Sequence, residues 1–255
     1  MALRDEKGRR FIAGGIDPNW VVSIAITTEP TNPQYAGNPI DFTGLVIKAT
    51  KRDGTVEDVT SKVIHNRDTW GSAKPTTVTF GYHEKACYWT TTPLAVIPAS
   101  VAVKTPPTKT AYKYGQTIDL AGCVLEVTYN DGHKEDKASG FTCSPTTMGT
   151  DTESITLSYT EGETTVTTTQ AVTLVAPDTL TVKENPTKTT YTDGEDIDTT
   201  GLVLTVTYTD DSEVDITTGF EISPTAASTG LTEIAVSYTE GDVTVNTAFA
   251  ITVGD

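Results

Sequence analysis

IDTTGLVLTVTYTD, residues 197–210, alternates with a period of two. Leu202, Leu204, Val206 and Tyr208 fall on one face of an extended segment, and Val203, Thr205 and Thr207 fall on the other. The Asp210-Asp211 pair that follows is a turn signal, so the next strand is predicted to fold back as a hairpin. Further on, Ile234, Val236 and Tyr238 form a second apolar row, and TEGD turns the chain into Val245, Thr247, Phe249, Ile251 and Val253. About six or seven short strands, with turns every 8–12 residues or so and no competing helical window, predict an all-β, two-sheet sandwich.

The same stretch occurs earlier as IDLAGCVLEVTYND, Ile118 to Asp131. Residues 98–175 align without a gap on 177–254, with 36 identities in 78 pairs, so the unit is duplicated. PTKTAYKYG from Pro107 returns as PTKTTYTDG from Pro186, and SYTEG occurs at both Ser158 and Ser237. A fainter third copy precedes them. Tyr35, Gly37, Asp41, Gly44 and Asp53-Gly54 mirror Tyr112, Gly115, Asp119, Gly122 and Asp131-Gly132, and VTFGY at Val78 mirrors ITLSY at Ile155. These repeats predict an arm over 1–20 and sandwiches over 21–97, 98–175 and 176–255. Pro98 and Pro177 leave almost no linker at the joints, so the tandem is expected to be elongated and semi-rigid.

The motif string PTKxxYxxG, Ile-Asp-x-x-Gly, V-x-V-T-Y-x-D, Gly-Phe-x-x-Ser-Pro and S-Y-T-E-G resembles the bacterial immunoglobulin-like domain of group 3. The resemblance covers the second and third copies over nearly their whole length and the first in outline. It implies three tandem immunoglobulin-like sandwiches without catalytic residues, of the kind found in surface proteins of Gram-positive bacteria and in structural proteins of tailed bacteriophages.

Composition narrows the function classes. The 255 residues carry 18 Lys and Arg against 34 Asp and Glu, a net of −16, which argues against a nucleic-acid partner. No apolar run approaches the ~20 residues of a membrane span. MALRDEKGRR is charged where a signal peptide would be apolar, so no export signal is expected. Three Cys are too few for a disulfide framework, and Cys123 and Cys143 stand where the sister repeat has Leu202 and Ile222, so both read as buried apolar groups. His65, His83 and His133 share no catalytic spacing. DGEDID from Asp193 and DDSEVD from Asp210 could offer oxygens to Ca²⁺, but they lack EF-hand spacing and read as solvated turns. No enzyme activity, cofactor or metal is expected.

Charge and aromatics are distributed unevenly. Residues 1–97 have a net charge of +1, 98–175 of −4 and 176–255 of −13. The near-neutral end also holds Arg4, Arg9, Arg10, Phe11 and all three tryptophans, Trp20, Trp70 and Trp89, which do not recur in the other copies. These seven residues are expected to form a docking interface, with the acidic copies projecting into solvent. The alternative is that the arm is a tail and the tryptophans are core. The expected function is a non-enzymatic bacteriophage virion protein, a head or tail decoration or attachment protein, present in symmetric copies beside other virion proteins and assembled in the host cytoplasm. The alternative is an adhesin-type module that recognises host-surface glycans.

Overall fold

The computed structural model describes residues 19–254. The chain divides into two compact units, Met1–Ile97 and Pro98–Asp255. The described residues contain no α-helix; their regular elements are strands and a short 3-10 turn at Thr60–Lys62.

In the first unit, β1 (Val21–Thr28), β2 (Val46–Lys51) and β3 (Val56–Asp58) form one antiparallel sheet. Strands β4 (Ile64–His65), β5 (Thr76–Tyr82) and β6 (Lys85–Thr91) form the other. The alternation of each strand turns Ile24, Ile47, Ala49, Val78, Phe80 and Trp89 into a shared core.

The second unit contains two matched strand sets. The first comprises β7 (Pro98–Thr105), β8 (Ala111–Lys113), β9 (Val124–Tyr129), β10 (Lys134–Lys137), β11 (Phe141–Ser144), β12 (Ser154–Glu161), β13 (Thr164–Ala171) and β14 (Thr173–Val175). The other comprises β15 (Pro177–Glu184), β16 (Thr190–Thr192), β17 (Val203–Tyr208), β18 (Glu213–Ile216), β19 (Phe220–Ser223), β20 (Glu233–Glu240), β21 (Val243–Ala250) and β22 (Thr252–Gly254). Each set has sheets in the order β10-β9-β7 and β11-β12-β13, or β15-β17-β18 and β19-β20-β21, with a parallel pair β14-β8 or β16-β22 beside them. Leu204, Val206, Ile234 and Val236, read from the sequence as inward, lie in one core with Leu180 and Phe249.

Cross-strand register ties the divergent first copy to the others. The first two paired strands slip twice in all three: at Val21/Ser23 and Ile26/Thr28, at Pro98/Ser100 and Val103/Thr105, and at Pro177/Thr179 and Val182/Glu184. The Asp-x-x-Gly motif also has a common geometry. Asp41, Asp119 and Asp198 accept the backbone N–H two residues on, at 2.8–2.9 Å. The glycine after each turn has φ of +78° to +85°, and a Cβ there would stand 2.8–2.9 Å from a Thr methyl, so the position requires glycine.

One alignment changes. Sequence pairs Tyr35 with Tyr112, but Gln34 occupies the tyrosine's place. The Tyr112 hydroxyl donates toward Lys109 O and Asp119 O and accepts the Asp119 N–H. Gln34 Nε2 donates to Asn32 O and Asp41 O, and its Oε1 accepts the Asp41 N–H. The first copy is one residue shorter here, between Thr31 and Gln34, so the same backbone groups are met by a different side chain.

Candidate interaction surface

The seven residues proposed as a docking interface separate into three groups. Arg4, Arg9, Arg10 and Phe11 lie outside the described residues. Trp70 and Trp89 are corrected: they are 2% and 4% exposed, pack edge to face at 5.5 Å, and belong to the core of the first unit. Trp89 sits opposite Val78 and shares the inward parity of Cys87, a pattern already present in KACYWTT. Trp70 lies in irregular chain, where no alternation reveals its direction. Only Trp20 is at the surface, 54% exposed.

Of the nine large hydrophobics exposed among the described residues, seven lie in 19–97, led by Ile64 at 77% and Tyr88 at 66%. Both belong to the outward face of β4-β5-β6. Ile64 pairs with Gly81, which pairs with Ala86, while Tyr88 pairs with Thr79. The matching face of β11-β12-β13 carries Thr142, Ser158, Thr167 and Thr169, and that of β19-β20-β21 carries Glu221, Ser237, Asn246 and Ala248. The first copy has therefore replaced a mostly hydroxyl-lined face by one bearing Ile64, Gly81, Ala86 and Tyr88. Gly81 leaves room for Ile64, whose Cγ1 lies 3.4 Å from where a Cβ on Gly81 would stand.

The β5-β6 turn extends this surface. The hairpin closes at Tyr82 and Lys85, two rungs earlier than its sisters, which continue to Glu161–Thr164 and Glu240–Val243. His83 and Glu84 both adopt left-handed conformations, φ 46° and 61°, without a glycine. On one side of the turn, Lys62, Ile64 and Gly81–Lys85 line a depression of about 350 Å³; on the other, Asn19, Trp20 and Val21 line one of about 340 Å³ with the same His83 and Glu84. A shallow groove of about 310 Å³ beside Ile64 is lined by His65, Asn66 and Thr79.

The remaining candidates have structural employment. Cys87 and Cys123 are buried and Cys143, corrected from buried, is half-buried; burial pushes all three thiols up from their ordinary range, away from thiolate reactivity. Five carboxylates of the acidic turns have partners within the same sandwich: Asp193 accepts from Thr229, Asp198 from Thr200 and Asp210 from Ser212, while Asp215 pairs with Lys183 and Glu195 with Lys188. Among the described residues no three His, Cys, Asp or Glu converge as a metal site. The Glu of SYTEG gathers tyrosines. Glu161 accepts from Tyr129 at 2.7 Å and Tyr159 at 2.8 Å, and Glu240 from Tyr208 at 2.8 Å and Tyr238 at 3.2 Å. Those hydrogen bonds hold Glu161 below the usual carboxylate range, while burial pushes Tyr129 and Tyr208 up. No helix among the described residues is long and apolar enough to cross a membrane.

No protein-family model and no curated protein matches this chain. Among solved structures, it is similar to domains 4–9 of the surface layer protein SbsC, at 15% identity and TM-score 0.25, over 92% of this chain and 48% of that one. The chain thus spans about half the length of that structure. It is also similar to titin domains I67–I69, at 11% identity and TM-score 0.26, over 91% and 99% of the two chains. Titin I9–I11 gives 9% identity and TM-score 0.28, over 91% and 100%. The all-β assignment rests on the strand pairing described above.

Proposed function

We propose that the chain is a non-enzymatic structural protein of a tailed-bacteriophage virion that docks by residues 1–97 and presents residues 98–255 to solvent. The carrying observation is the outward face of β4-β5-β6, where Ile64 and Tyr88 stand exposed in positions that the sister copies fill with Thr, Glu or Ala. Exposed apolar side chains on an otherwise duplicated scaffold mark a contact surface. The charge gradient supports the same polarity. A unit of net charge +1 can approach an assembly, whereas the −13 of residues 176–255 repels neighbouring copies. The virion setting rests on the sequence resemblance.

Incorporation into particles tests this reading. Deleting 1–97, or substituting Ile64→Thr with Tyr88→Thr, should abolish incorporation, while deleting 176–255 should leave it intact. The reverse pattern overturns the polarity. Tyr88-dependent capture on a glycan array, without incorporation, would assign the face to an adhesin instead.

A further inference from the structure

We infer that the second and third sandwiches are clamped by Lys113 and Tyr114 into one rigid body, so that residues 98–255 move as a unit. This goes beyond the docking reading and does not depend on it. The joint between the two strand sets is the single residue Ala176, between Val175 at the end of β14 and Pro177 at the start of β15. Both its backbone groups are bound to the third copy: its N–H donates to Thr209 Oγ1 at 3.2 Å, and its carbonyl accepts the Thr209 N–H at 2.9 Å. Val175 pairs through its backbone with Lys113 in the second copy, yet its side chain, 4% exposed, belongs to the core of the third.

Side chains close the joint from the other side. Lys113 Nζ lies 3.2 Å from the centroid of the Tyr208 ring, a cation–π contact next to the acidic Asp210-Asp211 turn. Thr150 Oγ1 donates to Asp242 at 2.7 Å. Tyr114 packs against the backbone of Gly241. A Cβ on Gly241 would stand 2.7 Å from Thr150 Cγ2 and 2.8 Å from Tyr114 Cδ2, so the close approach requires glycine. The matching Gly162 has nearly the same φ, 59° against 62°, and nothing within 4 Å of such a Cβ.

The repeats diverge where the clamp needs them to. At the positions of Lys113 and Tyr114 the third copy has Thr192 and Asp193, and Asp193 accepts from Thr229 within its own sandwich. The side chains of Lys113 and Tyr114 therefore serve the joint, while the Lys113 backbone serves the second sandwich.

The test is made on the full chain. Residual dipolar couplings for 98–175 and 177–254 should fit one common alignment tensor. Lys113→Thr with Tyr114→Asp introduces the residues that the third copy carries at those positions. In this variant the amide spectrum should stay dispersed while the two segments require different tensors. Gly241→Ala should separate the tensors likewise, whereas Gly162→Ala, which carries the same backbone strain without the clash, should not. Different tensors in the unmodified chain, a common tensor retained in the double variant, or equal effects of the two glycine substitutions overturns the inference.

Discussion

Trp70 Nε1 donates to Gln34 Oε1 at 2.8 Å inside the first unit, and the same oxygen accepts the Asp41 N–H at 3.0 Å. Gln34 is 7% exposed, so the turn at Asp41 and the tryptophan depend on one buried amide. Gln34→Ala would strand several buried polar groups, each costing ~1–3 kcal/mol. The expected loss is on the order of 3 kcal/mol. Tryptophan fluorescence during urea unfolding measures it, because all three tryptophans lie in residues 1–97.

Tyr112→Phe and Tyr191→Phe remove the equivalent support from the second and third copies. Each hydroxyl serves two carbonyls and one N–H, of residues 109 and 119 or 188 and 198. Each should cost ~1–3 kcal/mol, seen as a lower midpoint by far-UV circular dichroism while the tryptophan signal stays unchanged. A drop in the tryptophan midpoint would mean that the losses are not local.

Ile64→Thr with Tyr88→Thr should change stability by no more than ~0.5 kcal/mol, because both side chains face solvent. Concentration-dependent light scattering should fall relative to the unmodified chain, since the substitutions restore the character of the sister faces. A large loss of stability would show that these side chains support the core.

Glu57 carries a pH signature. Hydrogen bonds and ion pairs from Lys62, then from Lys51 at 2.9 Å, hold its carboxyl down at about 2. A depressed carboxyl contributes stability above its unfolded value, and that contribution fades as pH falls toward 2. The unmodified chain should therefore lose more stability between pH 4.5 and 2 than Glu57→Gln does, with a smaller gap in high salt. Parallel acid titrations of tryptophan fluorescence compare the two; coincident curves would remove Glu57 from the account.

Leu204→Ala, at a fully buried position, should cost ~2–5 kcal/mol. Calorimetry of the full chain checks it: a clamped pair of sandwiches should shift together, without a separate low-temperature transition for residues 177–254.

The sequence by itself determined what repeats locally. Period-two runs such as LVLTVTY set strand direction and inward face, because a strand that exposes the wrong parity loses its core. Asp-x-x-Gly set the turns, because only glycine tolerates the left-handed backbone against the Thr methyl. Three relationships were left to tertiary structure. Trp70 lies in chain without alternation; its burial comes from packing on Trp89, with its N–H met by the Gln34 acceptor 36 residues away. Ile64 and Tyr88 are ordinary strand residues in sequence; they become one surface only when β5 pairs with both β4 and β6. Lys113 and Tyr114 appear as repeat noise until Tyr208 and Gly241 are brought against them. In each case the partner is distant along the chain, and local periodicity carries no information about which distant residue a side chain will meet.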